Sequence, residues 1–276
     1  METQHLKENS KAKLEKKKLD MIVANNLKTA GAGFGTDTNV VTLITESEEK
    51  DYDFRGKQIL VVEDNELNME IVEFITQNAG AVVTKAWNGR EALEIFEKSA
   101  EVNGEHGLRN TIEHIENIHP DDLDRFAELD VISSVQPYHV TLAANGKVNQ
   151  IGEKRARLQW PFRTLLEHEG ALALGTDYPV VTIDPFTTIY AAVTRRDDDG
   201  NLTSTNSWEK ISMADTLKAY TSGAARVYHV EDSMGTLEPG KMADIIVLSG
   251  DLFEVDKEEI RGMKVEANYF EGEKIR

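Results

Sequence analysis

No cysteine occurs in the 276 residues, which excludes disulfides, thiolate metal sites and thiol nucleophiles together. Any metal ion must be held by His, Asp, Glu or a modified Lys. Positive charge is also scarce: 31 Lys and Arg stand against 49 Asp and Glu, giving a formal net charge of -18 and a pI near 4.8. A field of that sign repels phosphate backbones and anionic lipid, so neither nucleic acid nor a membrane surface is an expected partner. Nowhere do roughly 18 apolar residues follow one another, and the start METQHLKENSKAKLEKKK lacks an apolar signal core. A soluble, cytoplasmic protein is expected. The 40% hydrophobic content still suffices for a core, in one large barrel or two ordinary domains.

Residues 2–18 are charged and helix-prone, and they end in Lys16, Lys17 and Lys18 before a short apolar stretch over 19–24. This predicts a helix followed by a strand. The lysines fit either a solvated helix end favoured by the C-terminal dipole or a phosphate contact. Gly31, Gly33 and Gly35 then mark a loop before a second strand over 39–44. An acid-rich linker, 46–53, separates this piece from a different pattern. Residues 58–62 form an apolar strand with Glu63 and Asp64 at its C-terminal end. Met69, Ile71, Val72 and Ile75 follow at helical spacing, then a strand over 81–86 and a helix over 89–98. That is the βαβα opening of a doubly wound sheet, with an acidic pair where a parallel sheet presents its ligands. Glu63 and Asp64 read as solvated strand-end carboxylates or as a weak divalent-cation site.

Beyond Gly104 strands and helices keep alternating. Residues 110–115 read as a strand with His114 near its end. HPDDLDRFAEL reads as a capped helix with Pro120 in its first turn. Residues 131–137 form a strand delivering His139, residues 160–168 a helix, and residues 170–175 an apolar strand ending at Thr176 and Asp177. Strand ends in a parallel α/β sheet or barrel converge on one rim, so His114, His139 and Asp177 can meet around one ion or substrate. Each also has a plain reading. Either histidine can be a packing or hydrogen-bonding residue, and Asp177 can cap the next helix.

Three resemblances attach to these strings. LDMIVANN and GFGTDTNVVTLI, within residues 2–45, resemble the end of phosphopantothenate–cysteine ligase. In that family nucleotide and substrate are held mostly by elements upstream, so ligase activity is not implied. FRGKQILVVEDNELNMEIVEFITQNAGAVVTKAWNGREALEIFEKS, residues 54–99, resembles the first half of a response-regulator receiver domain. That resemblance places Glu63 and Asp64 in a magnesium pocket, but the phosphoacceptor Asp, the Ser or Thr and the Lys of the later strands do not follow. A phosphoryl group therefore has no acceptor here. NTIEHIENIHPDDLDRFAELDVISSVQPYHV, ALGTDYPV, DPFTTIYAAVTRRD, LKAYTSGAA and GTLEPGKMADIIVL, from about residue 103 to 276, resemble the C-terminal half of the YtcJ-like metal-dependent amidohydrolases, relatives of N-substituted formamide deformylase.

The last resemblance implies roles. His114 matches a metal-binding His on the sixth strand and His139 a substrate-side His after the seventh. Asp177 matches an eighth-strand Asp that binds metal and takes a proton from the attacking water. It also implies a small flanking β-sandwich from Gly235 onward, with Ile245, Val247 and Leu248 in a buried strand and another strand over 265–270. The family's opening strand carries an HxH pair. Here the histidines are His5, His106, His114, His119, His139, His168 and His229, and no two are two residues apart.

The fold expected is therefore α/β: a partial (β/α) barrel-like parallel sheet over 100–234 and a small β segment over 235–276. A ligase-like fragment over 1–46 and a receiver-like βαβα fragment over 54–99 precede them as doubly wound pieces. The function expected is that of a chimeric, truncated metal-dependent amidohydrolase, weakly active or inactive. Its cofactor is a divalent metal, zinc, if the site is completed, and its substrate is a small amide-like molecule. A homo-oligomer is one way to complete the site. A signalling or interaction module built on residues 54–99, or a scaffold without chemistry, are the alternatives.

Overall fold

The computed structural model describes residues 56–104, 109–142, 148–202 and 206–276, and the backbone alone at 21–25, 41–45, 49–52 and 147. The chain divides into two units, residues 1–95 and 96–276.

In the first unit β1 (Met21–Asn25), β2 (Val41–Thr45) and β3 (Glu49–Tyr52) form an antiparallel sheet in that order. The first two strands lie within two residues of where the sequence puts them. The expected linker over 46–53 needs correcting, because β3 occupies half of it and pairs Val41 with Tyr52 through Ile44 with Glu49. Strand pairing satisfies backbone N–H and C=O groups whatever the side chains are, so an acid-rich segment can close a hairpin without an apolar signature. Antiparallel pairing also means that this piece does not begin a doubly wound sheet, which needs parallel neighbours. The helix expected over 2–18, with Lys16, Lys17 and Lys18, lies outside the described residues.

The βαβα pattern is present: β4 (Gln58–Val62), α1 (Glu66–Asn78), β5 (Val82–Ala86) and α2 (Gly89–Asn103), with β4 and β5 parallel from Gln58 opposite Val82 to Val62 opposite Ala86. Asn65 starts α1 by accepting hydrogen bonds from the backbone N–H groups of Leu67 and Asn68, which satisfies two of the helix's orphan donors. Met69 is the side chain that α1 buries, while Leu67 and Phe74 stay exposed.

The second unit is built on a parallel sheet, β6 (Thr111–Glu113), β7 (Ile132–Val135) and β8 (Ala171–Leu174), in sequence order. Helix α3 (Leu123–Glu128), entered through a 3-10 turn at Pro120–Asp122, connects the first two strands, and α4 (Phe162–Glu167) precedes the third. Ile132, Ser133, Val135, Leu172, Ala173 and Leu174 are all buried, as a parallel sheet covered on its faces requires. The sheet is open; among the described residues no strands close it into a barrel.

Helix α5 (Pro185–Thr194) carries an apolar cluster, in which Phe186, Ile189, Tyr190 and Val193 meet Leu252 and Ile260. Asp184 caps it by accepting from the Phe186 N–H at 2.9 Å, and Pro185 fits the first helical position. Eight of its ten residues are buried, so it lacks the one-sided stripe that marks a surface helix. Helix α6 (Met213–Lys218) runs into a π-helical turn at Ala219–Gly223 packed against β8.

The C-terminal segment is a three-stranded antiparallel sheet, ordered β11 (Glu273–Lys274), β10 (Val265–Phe270), β9 (Ile245–Leu248). Its first strand is not the buried strand expected: Ile246 is 51% and Val247 45% exposed. As the edge strand, β9 packs Leu248 toward the cluster under α5 and turns other apolar side chains to solvent. No helix among the described residues is long and apolar enough to cross a membrane.

Candidate metal centre

Three successive strand ends supply the site. His114 is the residue after β6, and its N–H bonds to the Ser134 carbonyl of β7 at 2.8 Å. His139 sits in a 3-10 turn, Pro137–Thr141, that follows β7. Asp177 lies three residues past β8, beyond the bond from the Gly175 N–H to the Val135 carbonyl. Parallel pairing keeps the three C-terminal ends in register, which is why residues 63 positions apart in the chain converge.

His114, Ile115 and Asp177 all have left-handed backbones, with φ of 68°, 46° and 58°. Such conformations cost about 1–3 kcal/mol each for residues other than glycine, most of all for a β-branched one. Here they turn the chain off the strand end so that the side chain faces its neighbours. Trp160 donates its backbone N–H to the Glu116 carbonyl at 3.1 Å and Asn117 bridges Gln159, which holds the turn after His114 from the far side.

One donor atom from each of His114, His139 and Asp177 lies within 4.8 Å of the other two. The histidine rings stack at 5.7 Å with a 19° interplanar angle, and His139 Nε2 is 3.7 Å from Asp177 Oδ2. His139 is 6% exposed, and its Nε2 has no hydrogen-bond partner. An orphaned ring nitrogen is costly in that setting unless something else occupies it. Burial lowers the His139 pKa below the ordinary histidine value, and the nearby His114 works in the same direction. The Asp177 charge and a backbone hydrogen bond at Thr176 oppose that shift. A neutral imidazole has a lone pair to give. At metal–ligand distances of about 2.1 Å, a 3.7 Å separation subtends roughly 120° at an ion, close to the tetrahedral value. Two imidazoles and a carboxylate gathered within 4.8 Å of one another form a donor set that zinc-like divalent cations accept.

Gln136 was not singled out by the sequence. It is 5% exposed, its Oε1 is 2.9 Å from His114 Nδ1, and its Nε2 donates to Glu113 Oε2 at 3.2 Å. A side-chain amide between a strand and the proline of VQPYHV was the available signal, and it is weak because an amide there more often serves a turn.

Glu63 and Asp64 belong to the first unit, with no third donor beside them among the described residues. Glu63 Oε1 accepts from the Asn65 N–H at 3.1 Å and from Asn68 Nδ2 at 3.3 Å, and Asp64 is exposed. The carboxylate helps cap the start of α1.

The chain spans little of its curated relatives. "Protein LONG AFTER FAR-RED 3" of Arabidopsis thaliana is 36% identical over 161 residues, 57% of this chain and 27% of that protein. The YtcJ protein of Bacillus subtilis (strain 168) is 27% identical over 184 residues, 66% of this chain and 34% of its own length. A crystal structure of an uncharacterised metal-dependent hydrolase from Pyrococcus horikoshii OT3 aligns with a TM-score of 0.57 at 25% identity, covering 84% of this chain and 49% of the other. Residues 1–73 match the DNA/pantothenate metabolism flavoprotein C-terminal domain, and residues 79–275 match the amidohydrolase family. The resemblance of residues 54–99 to a receiver domain is not supported: 54–73 fall in the first of these matches and 79–99 in the second. With nearly three-quarters of its length inside the second, the chain belongs to the amidohydrolase family.

Proposed function

We propose that this chain holds one divalent ion, zinc, on His114, His139 and Asp177, and that its chemistry is hydrolysis of a small amide-like C–N bond, at a low rate or none. The observation that carries the reading is the buried, orphaned Nε2 of His139 facing Asp177 Oδ2 at 3.7 Å. It favours His139 as a third ligand over a purely substrate-side role. When bound, such an ion lowers the pKa of a coordinated water and polarises a carbonyl oxygen. Asp177, with its side chain 38% exposed, is placed to accept the proton of an attacking water on its carboxylate. Three strand ends form only one arc of a rim, so a substrate is gripped from one side and much of the gain from orientation is lost.

The test is turnover of N-formyl and N-acyl amines by the zinc-loaded protein. Rates at or near background are expected. Robust turnover abolished by Asp177→Asn would overturn the claim of low activity.

A further inference from the structure

The side chains of Glu113, Gln136 and His114 form a relay whose direction is fixed at one end. An ionised carboxylate only accepts hydrogen bonds, so the group that Gln136 turns toward Glu113 Oε2 must be its NH2. The amide is rigid and planar, so its oxygen necessarily faces the other way, toward His114 Nδ1 at 2.9 Å. An amide oxygen also only accepts. His114 Nδ1 must therefore carry the proton, which leaves the lone pair on Nε2. Gln136 is 5% exposed, which holds its amide between the two partners although Glu113 and His114 lie at exposed positions.

We infer that Gln136, oriented by Glu113, is a positioning residue that locks His114 in its Nδ1–H tautomer and thereby makes Nε2 its metal-ligating atom. This rests on the proposed metal reading for its purpose but not for its geometry. Metal-bound histidines characteristically donate their second ring N–H to an oxygen acceptor, which fixes ring orientation and raises ligand basicity. Here the acceptor is an amide just past the end of β7, itself fixed by a carboxylate on β6.

The experiment uses the metal-free protein first. Long-range 1H–15N correlation of the His114 imidazole at about pH 8, where an ordinary histidine is neutral, reports the tautomer directly. The wild type is expected to show a protonated Nδ1. Gln136→Leu is expected to move the proton toward Nε2 and to weaken zinc binding about 10- to 100-fold, the usual effect of losing such a partner. Glu113→Gln, at an exposed position, guards against misfolding of the first variant. Its amide can either donate or accept, so the lock is released and a tautomer mixture is expected with a smaller loss of affinity.

A wild-type His114 with its proton on Nε2 overturns the inference, as does an unchanged tautomer in both variants. A wild type that shows the expected tautomer, sensitive to Gln136→Leu, but binds no zinc supports the relay and sinks the metal reading instead.

Discussion

Replacing Gly223 by alanine sets two physical effects against each other. Gly223 ends the π-helical turn against β8, and its backbone is ordinary right-handed helix, φ -62° and ψ -49°. Alanine accepts those angles without strain, and on backbone grounds alone the change stabilises by about 0.4–1 kcal/mol through the unfolded chain. Packing argues the reverse. The new Cβ collides with the Leu172 carbonyl oxygen, and it lies 3.3 Å from that carbonyl carbon and 3.4 Å from Ala173 Cα. All three neighbours are backbone of a strand, so no flexible side chain can yield. Overpacking of this kind costs about 1–3 kcal/mol, and contact with rigid backbone belongs at the upper end. The net expectation is a loss of about 2 kcal/mol, or roughly 4–8 °C in Tm for a unit of this size. Because β8 leads to Asp177, zinc affinity should fall as well. Thermal melting followed by circular dichroism, with zinc titration of the same variant, checks both. A Tm equal to or above wild type would refute the claim that helix and strand touch at this point.

Two further outcomes follow from polar groups in the second unit, one fully buried and one half-buried. Glu209 is fully buried, accepts from the Thr164 N–H at 2.9 Å and its hydroxyl at 2.6 Å, and opposes the desolvation of the fully buried Arg195, whose pKa burial lowers to about 10. Glu209→Leu removes that carboxylate beside a buried cation and should cost about 3–5 kcal/mol in urea unfolding; a loss below about 1 kcal/mol would contradict the assigned role. Tyr138 is raised to about 12, first by burial and then by its hydrogen bond to Asp198 at 2.6 Å. The unfolded chain loses this proton near pH 10 while the native state keeps it, so stability should fall as pH rises from about 10 to about 12. Tyr138→Phe should reduce that alkaline slope in urea midpoints, and an unchanged slope would count against the shift.

How much of this was legible in the sequence differs between elements. The strands bearing His114, His139 and Asp177 could be found because short apolar runs end in polar residues, and because parallel sheets gather strand ends on one rim. Helix α1 announced itself through Met69, Ile71, Val72 and Ile75, but periodicity does not say how much a helix buries, and Ile71 is 48% exposed. Helix α5 escaped notice because a helix buried nearly all round has no polar face to set its period. Strand β3 escaped because Glu49, Lys50 and Asp51 pair through their backbones. Strand β9 misled because Ile246 and Val247 are apolar yet exposed at an edge. At the site, the donor residue types could be read, but Gln136 could not. Its significance lies in two hydrogen bonds, to a side chain 22 and another 23 positions away, and neither leaves a local pattern.

The central claim is that His114, His139 and Asp177 together hold one divalent ion. Metal analysis of purified, size-characterised protein after zinc loading and dialysis tests it most directly. Close to one zinc per chain is expected, falling toward zero in Asp177→Asn and in His139→Ala while both variants keep the wild-type circular dichroism spectrum. A folded wild-type protein that retains no zinc, or variants that retain as much as wild type, would contradict it.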